Sequence, residues 1–160
     1  MSDSDYQLID SGSGEKLEQF GKYRLIRPCS QAIWPRDKEK VNAWREAHAS
    51  FNRRNGLHWH GLHNLPENWV IQANSVKMKL ATTNFGHIGI FPETLPLWNA
   101  LQSKIRPAKS GNTKNQKVPF HFLNLFAYSG GATLAAAQAG ANCCHVDASK
   151  GMVQWAKENA

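Results

Sequence analysis

A carboxylate and a pair of glycines, one strand apart, are the residues of this chain best suited to hold a ligand. The run Phe120-His121-Phe122-Leu123-Asn124-Leu125-Phe126 ends in Ala127-Tyr128-Ser129-Gly130-Gly131, and an alanine-rich segment, residues 133–139, follows. Strand, glycine turn and helix in that order present backbone N–H groups to a ligand beyond the carboxyl end of the strand. A second apolar stretch, residues 141–147, ends in Asp147. Folds of this kind place a carboxylate there to accept from ribose hydroxyls, a task that suits an acceptor-only group. Together these segments predict the opening half of a nucleotide-type cofactor site. The turn lacks the dinucleotide fingerprint G-x-G-x-x-G, having only the adjacent Gly130 and Gly131. Pattern alone therefore leaves a plain strand-to-helix turn open.

Other chemistry-bearing side chains read more simply. His58-x-His60-x-x-His63 is metal-like, because residues two apart on a strand share a face. Its spacing matches no common zinc motif, and Glu46 is the one Cys, Asp or Glu between residues 40 and 66. The expectation is an imidazole-rich surface strand and no metal. Cys143 and Cys144, adjacent in a strand, point to opposite faces and are read as small buried apolar residues rather than nucleophiles. Most of the six tryptophans are read as core, with one or two available to stack on exposed bases. No catalytic residue is assigned.

The elements that must position the turn follow from periodicity. Residues 6–9, 16–20 and 23–27 are short strand candidates with turns at Ser13-Gly14 and Gly21-Lys22. Val41, Trp44, His48 and Phe51 fall at helical spacing, which predicts a helix over residues 37–54 flanked by Lys38, Lys40, Arg45, Arg53 and Arg54. Residues 57–60, 69–72 and 76–80 read as strands. Residues 85–93, with two glycines and a proline among large apolar side chains, suggest backbone passing close to something. Residues 94–105 read as a helix with Leu97, Leu101 and Ile105 on one face. Ser149 is positioned to cap a last helix.

The polar stretch 106–119, with one arginine and three lysines, reads as a basic linker. It divides a small β-rich domain with helices, residues 1–105, from the start of a Rossmann-like domain, residues 120–160. The fold class is mixed α/β: an α+β, β-rich first part, then the first βαβ portion of an incomplete sheet. About 40 residues after the linker suffice for one such unit, which takes roughly 30. The chain is therefore expected to end inside its cofactor domain and to be poorly stable alone.

Composition bounds the setting. The 160 residues carry a net charge of +7 with 41% hydrophobic and 19% charged residues, an ordinary globular balance that favours an acidic partner such as nucleic acid. Three cysteines make no disulfide framework. The acidic N-terminus lacks a signal-peptide pattern, and no apolar run approaches the ~20 residues of a membrane span. A cytoplasmic protein with no membrane association is expected.

The motif Leu123-Asn124-Leu125-Phe126-Ala127-Tyr128-Ser129-Gly130-Gly131 resembles the first motif of class I S-adenosylmethionine (SAM)-dependent methyltransferases. More narrowly it resembles the branch that modifies large-subunit ribosomal RNA, including cytosine carbon-5 methyltransferases. That branch carries Asn…Phe-x-Tyr-[Ser/Thr]-Gly-Gly, matched here by Asn124, Phe126, Tyr128, Ser129, Gly130 and Gly131. Val146-Asp147-Ala148-Ser149, followed by Trp155-Ala156-Lys157-Glu158-Asn159-Ala160, is similar to its second motif. Gly86-His87-Ile88-Gly89-Ile90-Phe91-Pro92-Glu93 resembles the glycine-rich segment ahead of its cofactor domain, departing at Pro92-Glu93, where relatives carry an aliphatic residue and Asp. Taken with the N-terminal part, the chain looks most like a bacterial subgroup of SAM-dependent methyltransferases.

The resemblance implies SAM as cofactor and RNA, specifically rRNA, as substrate. It implies the N–H groups of Tyr128, Ser129, Gly130 and Gly131 around the methionine end and Asp147 on the ribose hydroxyls. Ala148 and Ser149 would border the adenine, Asn124 would belong to the binding motif, and Phe91 with Gly89 would close over the cofactor. The branch's Asp-Pro-Pro motif does not occur in these 160 residues and no Pro-Cys pair follows the cofactor motifs, so this chain alone is expected to be inactive. Two other classes fit the residues: a non-catalytic RNA-binding module using the basic helix and linker, and a fragment of an NAD-type oxidoreductase.

Overall fold

The computed structural model describes residues 4–53, 58–110 and 120–160, with backbone only for residues 106–110. The chain forms two compact units, Met1–Ala73 with Lys79–Ile88, and Asn74–Met78 with Gly89–Ala160.

The first unit is built on a five-stranded sheet in sequential order: Tyr6–Gly12 (β1), Glu15–Phe20 (β2), Tyr23–Pro28 (β3), Ala49–Asn52 (β4) and His58–His60 (β5). Ser13 (φ 54) and Gly14 (φ 80) turn β1 into β2, the two left-handed residues that a tight hairpin of matching twist needs. Leu17, Phe20, Leu25 and Phe51 are buried in its core. Glu18 is buried with them, salt-bridged to Arg27 at 2.8 Å and Lys16 at 3.1 Å, so its charge is compensated as burial demands.

The expected helix over residues 37–54 is a correction. A short 3-10 turn, Lys38–Lys40, leads into a single helical turn, Val41–Arg45 (α1), and the chain then enters β4. Strand alternation, not helical spacing, buries Ala49 and Phe51, and β4 pairs with β3 in parallel and with β5 in antiparallel. His48 marks the switch. Its Nδ1 accepts from the Arg24 N–H at 3.1 Å, and its own N–H donates to the Arg24 carbonyl at 2.9 Å. Two backbone groups of β3 thus find partners that a continuing helix would not supply. Arg53 lies after β4, and Arg54 lies outside the described residues. Trp69–Ala73 (β6) and Val76–Leu80 (β7) are the next two strands in the chain.

In the second unit a 3-10 turn, Pro92–Thr94, opens the helix Leu95–Ser110 (α2). The helix continues through the first five residues of the expected linker; residues 111–119 lie outside the described residues. Its buried face is Leu95, Trp98, Gln102 and Ile105, while Leu97, expected inside, is 61% exposed. Gln102 is tolerated there because its amide donates to the Ala135 carbonyl at 2.9 Å and the Ser75 hydroxyl at 2.8 Å. Then come His121–Leu125 (β8), Gly131–Gln138 (α3), Asn142–Val146 (β9) and Lys150–Asn159 (α4). β8 and β9 pair in parallel, Asn124 opposite His145 and Leu125 opposite Val146, which is the predicted βαβ order. Ile105, Ala136 and Ala139 form a buried cluster against Phe122 and Cys143.

Candidate cofactor site

The turn between β8 and α3 is strained. Phe126 (φ 54), Tyr128 (φ 53) and Gly130 (φ 94) all adopt left-handed backbone. Such a conformation costs roughly 1–3 kcal/mol at a non-glycine residue, and it persists only where neighbours over-determine it. Asp147 is the chief restraint. Its Oδ2 accepts from the Tyr128 N–H and its Oδ1 from the Ser149 N–H, both at 2.8 Å. These bonds, with the Ser149 one foremost, hold the Asp147 carboxyl below its ordinary pKa; partial desolvation opposes them and nearby His145 adds to them. The Ala127 N–H donates to the Val146 carbonyl at 3.0 Å, closing the turn against the end of β9.

Residue 89 supplies a second set of restraints. The Gly89 N–H donates to Tyr128 Oη at 3.1 Å, and its carbonyl accepts from the Ser129 hydroxyl. A Cβ at Gly89 would lie 2.4 Å from Trp155 Cζ2. The predicted close approach of this glycine-rich segment is thus to an aromatic ring, as it is at Gly86, where a Cβ would meet Phe51 at 2.4 Å. From α4, Asn159 donates to the Ser129 carbonyl at 2.9 Å.

The glycine pair has a packing cause. A Cβ at Gly131 would lie 2.1 Å from Trp98 Cζ2, and one at Gly130 would lie 3.1 Å from the Ala156 Cβ. Small residues here let α2 and α4 approach the turn. Of the four expected N–H groups, Tyr128's goes to Asp147 and Gly130's to the Ala127 carbonyl at 3.1 Å. Those of Ser129 and Gly131 have no partner among the described residues, beside a helix start whose cap, Gly130, has no side chain to offer.

A cavity of about 180 Å³ opens at this turn. Phe91, Asn124, Tyr128, Ser129 and Gly131 line it, joined by Thr94, Leu97, Trp98 and Phe126. The Phe91 and Tyr128 rings lie 4.7 Å apart. Asn124 reaches the cavity while its amide donates to Thr133 Oγ1 at 2.9 Å, and that hydroxyl is 3.0 Å from His145 Nδ1. Asp147, Ala148 and Ser149 stand at the end of β9, outside this cavity. Ser149 caps α4, accepting from the Met152 N–H at 3.3 Å. The predicted residues thus form two groups joined by the Asp147–Tyr128 bond. Trp98 and Thr94 are contributors that the sequence did not mark, since nothing local ties them to the turn, while Trp155 and Asn159 fall in the second motif without having been given a role at the turn.

Cys143 packs on the α3 side of the sheet and donates to the Thr133 carbonyl at 3.5 Å, its thiol pKa raised by burial. Cys144 faces the other way and is exposed, correcting the expectation that both are buried. His58 and His60 are exposed on one face of β5 with ring centroids 4.5 Å apart. Among the described residues no group of three His, Cys, Asp or Glu side chains is placed to hold a metal, and no helix is long and apolar enough to cross a membrane.

A parallel strand pair, a left-handed glycine turn at a helix start and a carboxylate at the second strand's end are the elements with which a doubly wound α/β sheet opens. Comparison with solved structures narrows the class. The chain is similar to the SAM-dependent methyltransferase from Agrobacterium tumefaciens, with 40% identity and a TM-score of 0.83 over 97% of this chain and 47% of that one. It is also similar to a protein from Streptococcus mutans described as a SAM-dependent methyltransferase, with 19% identity and a TM-score of 0.72 over 99% of this chain and 43% of that one. A third similar structure, described as a methyltransferase complexed with SAH, gives 20% identity and a TM-score of 0.70 over 99% of this chain and 42% of that one. The last two speak to fold alone. The fold is methyltransferase-like, and the chain spans about half the length of the solved structures it matches. No family model and no curated protein matches it.

Proposed function

We propose that the second unit binds SAM and that the whole protein is a SAM-dependent methyltransferase acting on RNA, rRNA in particular. The observation that carries the cofactor reading is the Asp147 carboxylate. It is held ionised at the end of β9 by the N–H groups of Tyr128 and Ser149. A carboxylate has about four acceptor positions, and two N–H bonds leave two for a pair of ribose hydroxyls. The N–H groups of Ser129 and Gly131 face the methionine carboxylate, a role suited to a helix start. Phe91 and Tyr128 form an apolar wall beside it, and Ala148 and Ser149 border the adenine. Bound SAM supplies an electrophilic methyl group on a sulfonium, so the protein's part is alignment and exclusion of water.

The RNA reading is supported by the net charge of +7 and by the sequence motif. Calorimetry of the chain with SAM, SAH and NAD tests the cofactor: binding of SAM and SAH is expected, and heat with NAD alone overturns it. Transfer of labelled methyl groups from SAM to deproteinised rRNA by the whole protein tests the substrate. Label entering only protein or small molecules refutes RNA.

A further inference from the structure

We propose that a pocket on the first unit, lined between Arg36 and Arg45, is a phosphate-binding site for single-stranded RNA, with Trp34, two residues before Arg36, as a base-stacking platform. This rests on the RNA reading and says where on the chain the strand is held. The pocket, about 280 Å³, is lined by Arg36, Asp37, Lys38, Val41, Trp44 and Arg45. The lining carries three cations and one carboxylate, and with Arg36 neutralised by Glu15 it is Lys38 and Arg45 against Asp37 that leave a positive excess for an anion.

A polar scaffold fixes its walls. The Arg36 guanidinium lies 3.8 Å over the Trp44 ring and is ion-paired to Glu15. The Trp44 indole N–H donates to Asp10 Oδ2 at 2.6 Å, and the Asp37 N–H donates to the same oxygen at 3.1 Å. Asp37 turns its carboxylate to the Glu39 N–H at 2.9 Å, capping the 3-10 turn. Lys38 and Arg45 have no ion pair among the described residues and are exposed. Two free cations thus flank one arginine already held in place, which suits a phosphodiester.

Trp34 makes the case for a nucleic acid rather than a lone phosphate. It lies two residues before Arg36 and is 52% exposed, although it is among the largest apolar side chains. Its indole N–H donates to the Ser11 carbonyl at 2.7 Å, so the ring is pinned rather than loose. An exposed, anchored aromatic next to basic residues is the arrangement that holds single strands by stacking and charge together.

The two parts separate in a binding measurement on the full chain. The probe is a fluorescein-labelled 12-nucleotide oligouridylate, followed by anisotropy from 50 to 300 mM salt, with inorganic phosphate as competitor. Lys38→Ala with Arg45→Ala should weaken binding roughly 25-fold at 0.1 M salt and lower the log–log salt slope by about 1.4, two contacts at about 0.7 each. Trp34→Ala should weaken binding roughly 10-fold with the slope unchanged. Lys77→Ala with Lys104→Ala, the same charge change elsewhere, should do neither. Phosphate competing at low millimolar concentration would mean a simple anion site and overturn the strand proposal. If RNA binds but the pocket and control pairs behave alike, the pocket is refuted and the RNA reading stands. If the unaltered chain binds no RNA, both fall.

Discussion

Gly131 and Gly151 both lie in the first turn of a helix, α3 and α4, yet the same substitution should move stability in opposite directions. Replacing a helical glycine by alanine ordinarily stabilises by about 0.5–1 kcal/mol, because it restricts the unfolded chain. At Gly151 a Cβ meets only the Ser149 hydroxyl oxygen at 3.8 Å, so Gly151→Ala should show that gain. At Gly131 the Cβ would lie 2.1 and 2.3 Å from two ring atoms of Trp98. Trp98 is 4% exposed and cannot swing into solvent, so the overlap forces backbone or ring displacement. Overpacking of this kind costs about 1–3 kcal/mol, and the severity of the overlap puts it toward the upper end. The net expectation is destabilisation by about 2 kcal/mol, measured by urea titration of the chain followed by tryptophan fluorescence and far-ultraviolet circular dichroism. Trp98→Leu added to Gly131→Ala should cost less than the sum of the two single changes, since the first removes the obstacle to the second. If Gly131→Ala proves as stable as Gly151→Ala, helix packing is not what requires a glycine at 131.

Three other outcomes follow from the site. Tyr128→Phe removes the acceptor of the Gly89 N–H and should destabilise by about 1 kcal/mol; an unchanged urea midpoint would show that the bond carries nothing. Ser149→Ala removes the cap of α4 and should cost about 1 kcal/mol, read as lower helicity and an earlier midpoint, with no change refuting the capping role. Asp147 is held below its ordinary pKa of 3.8, so its stabilisation is fully present above that value and is lost as pH falls through the depressed folded value. The stability gap between the unaltered chain and Asp147→Asn should therefore be constant at neutral pH and close at strongly acid pH; a gap that persists there would place its cause elsewhere.

Sequence by itself determined the βαβ order of residues 120–160, the acid at the end of the second strand and the Ser149 cap. Each is local: period-two apolar runs make strands, alanine makes helix, and a serine ahead of a helix finds its N–H groups within three residues. Residues 37–54 show where local signals fail. Val41, Trp44, His48 and Phe51 satisfy a helical spacing, but the open edge of β3 offers Arg24 as a partner to His48, and sheet pairing claims residues 49–52. Leu97 fails for a related reason, since the buried face of α2 was set by where Trp98 meets Gly131. Only tertiary structure decided why Gly130 and Gly131 are glycines, that Tyr128 gives its N–H to Asp147 and its hydroxyl to Gly89, and that Asp147 is a clamp on the turn as well as a candidate ligand for ribose. Those partners are 19 to 40 residues away in sequence, and a contact at that distance leaves no periodic trace in the chain.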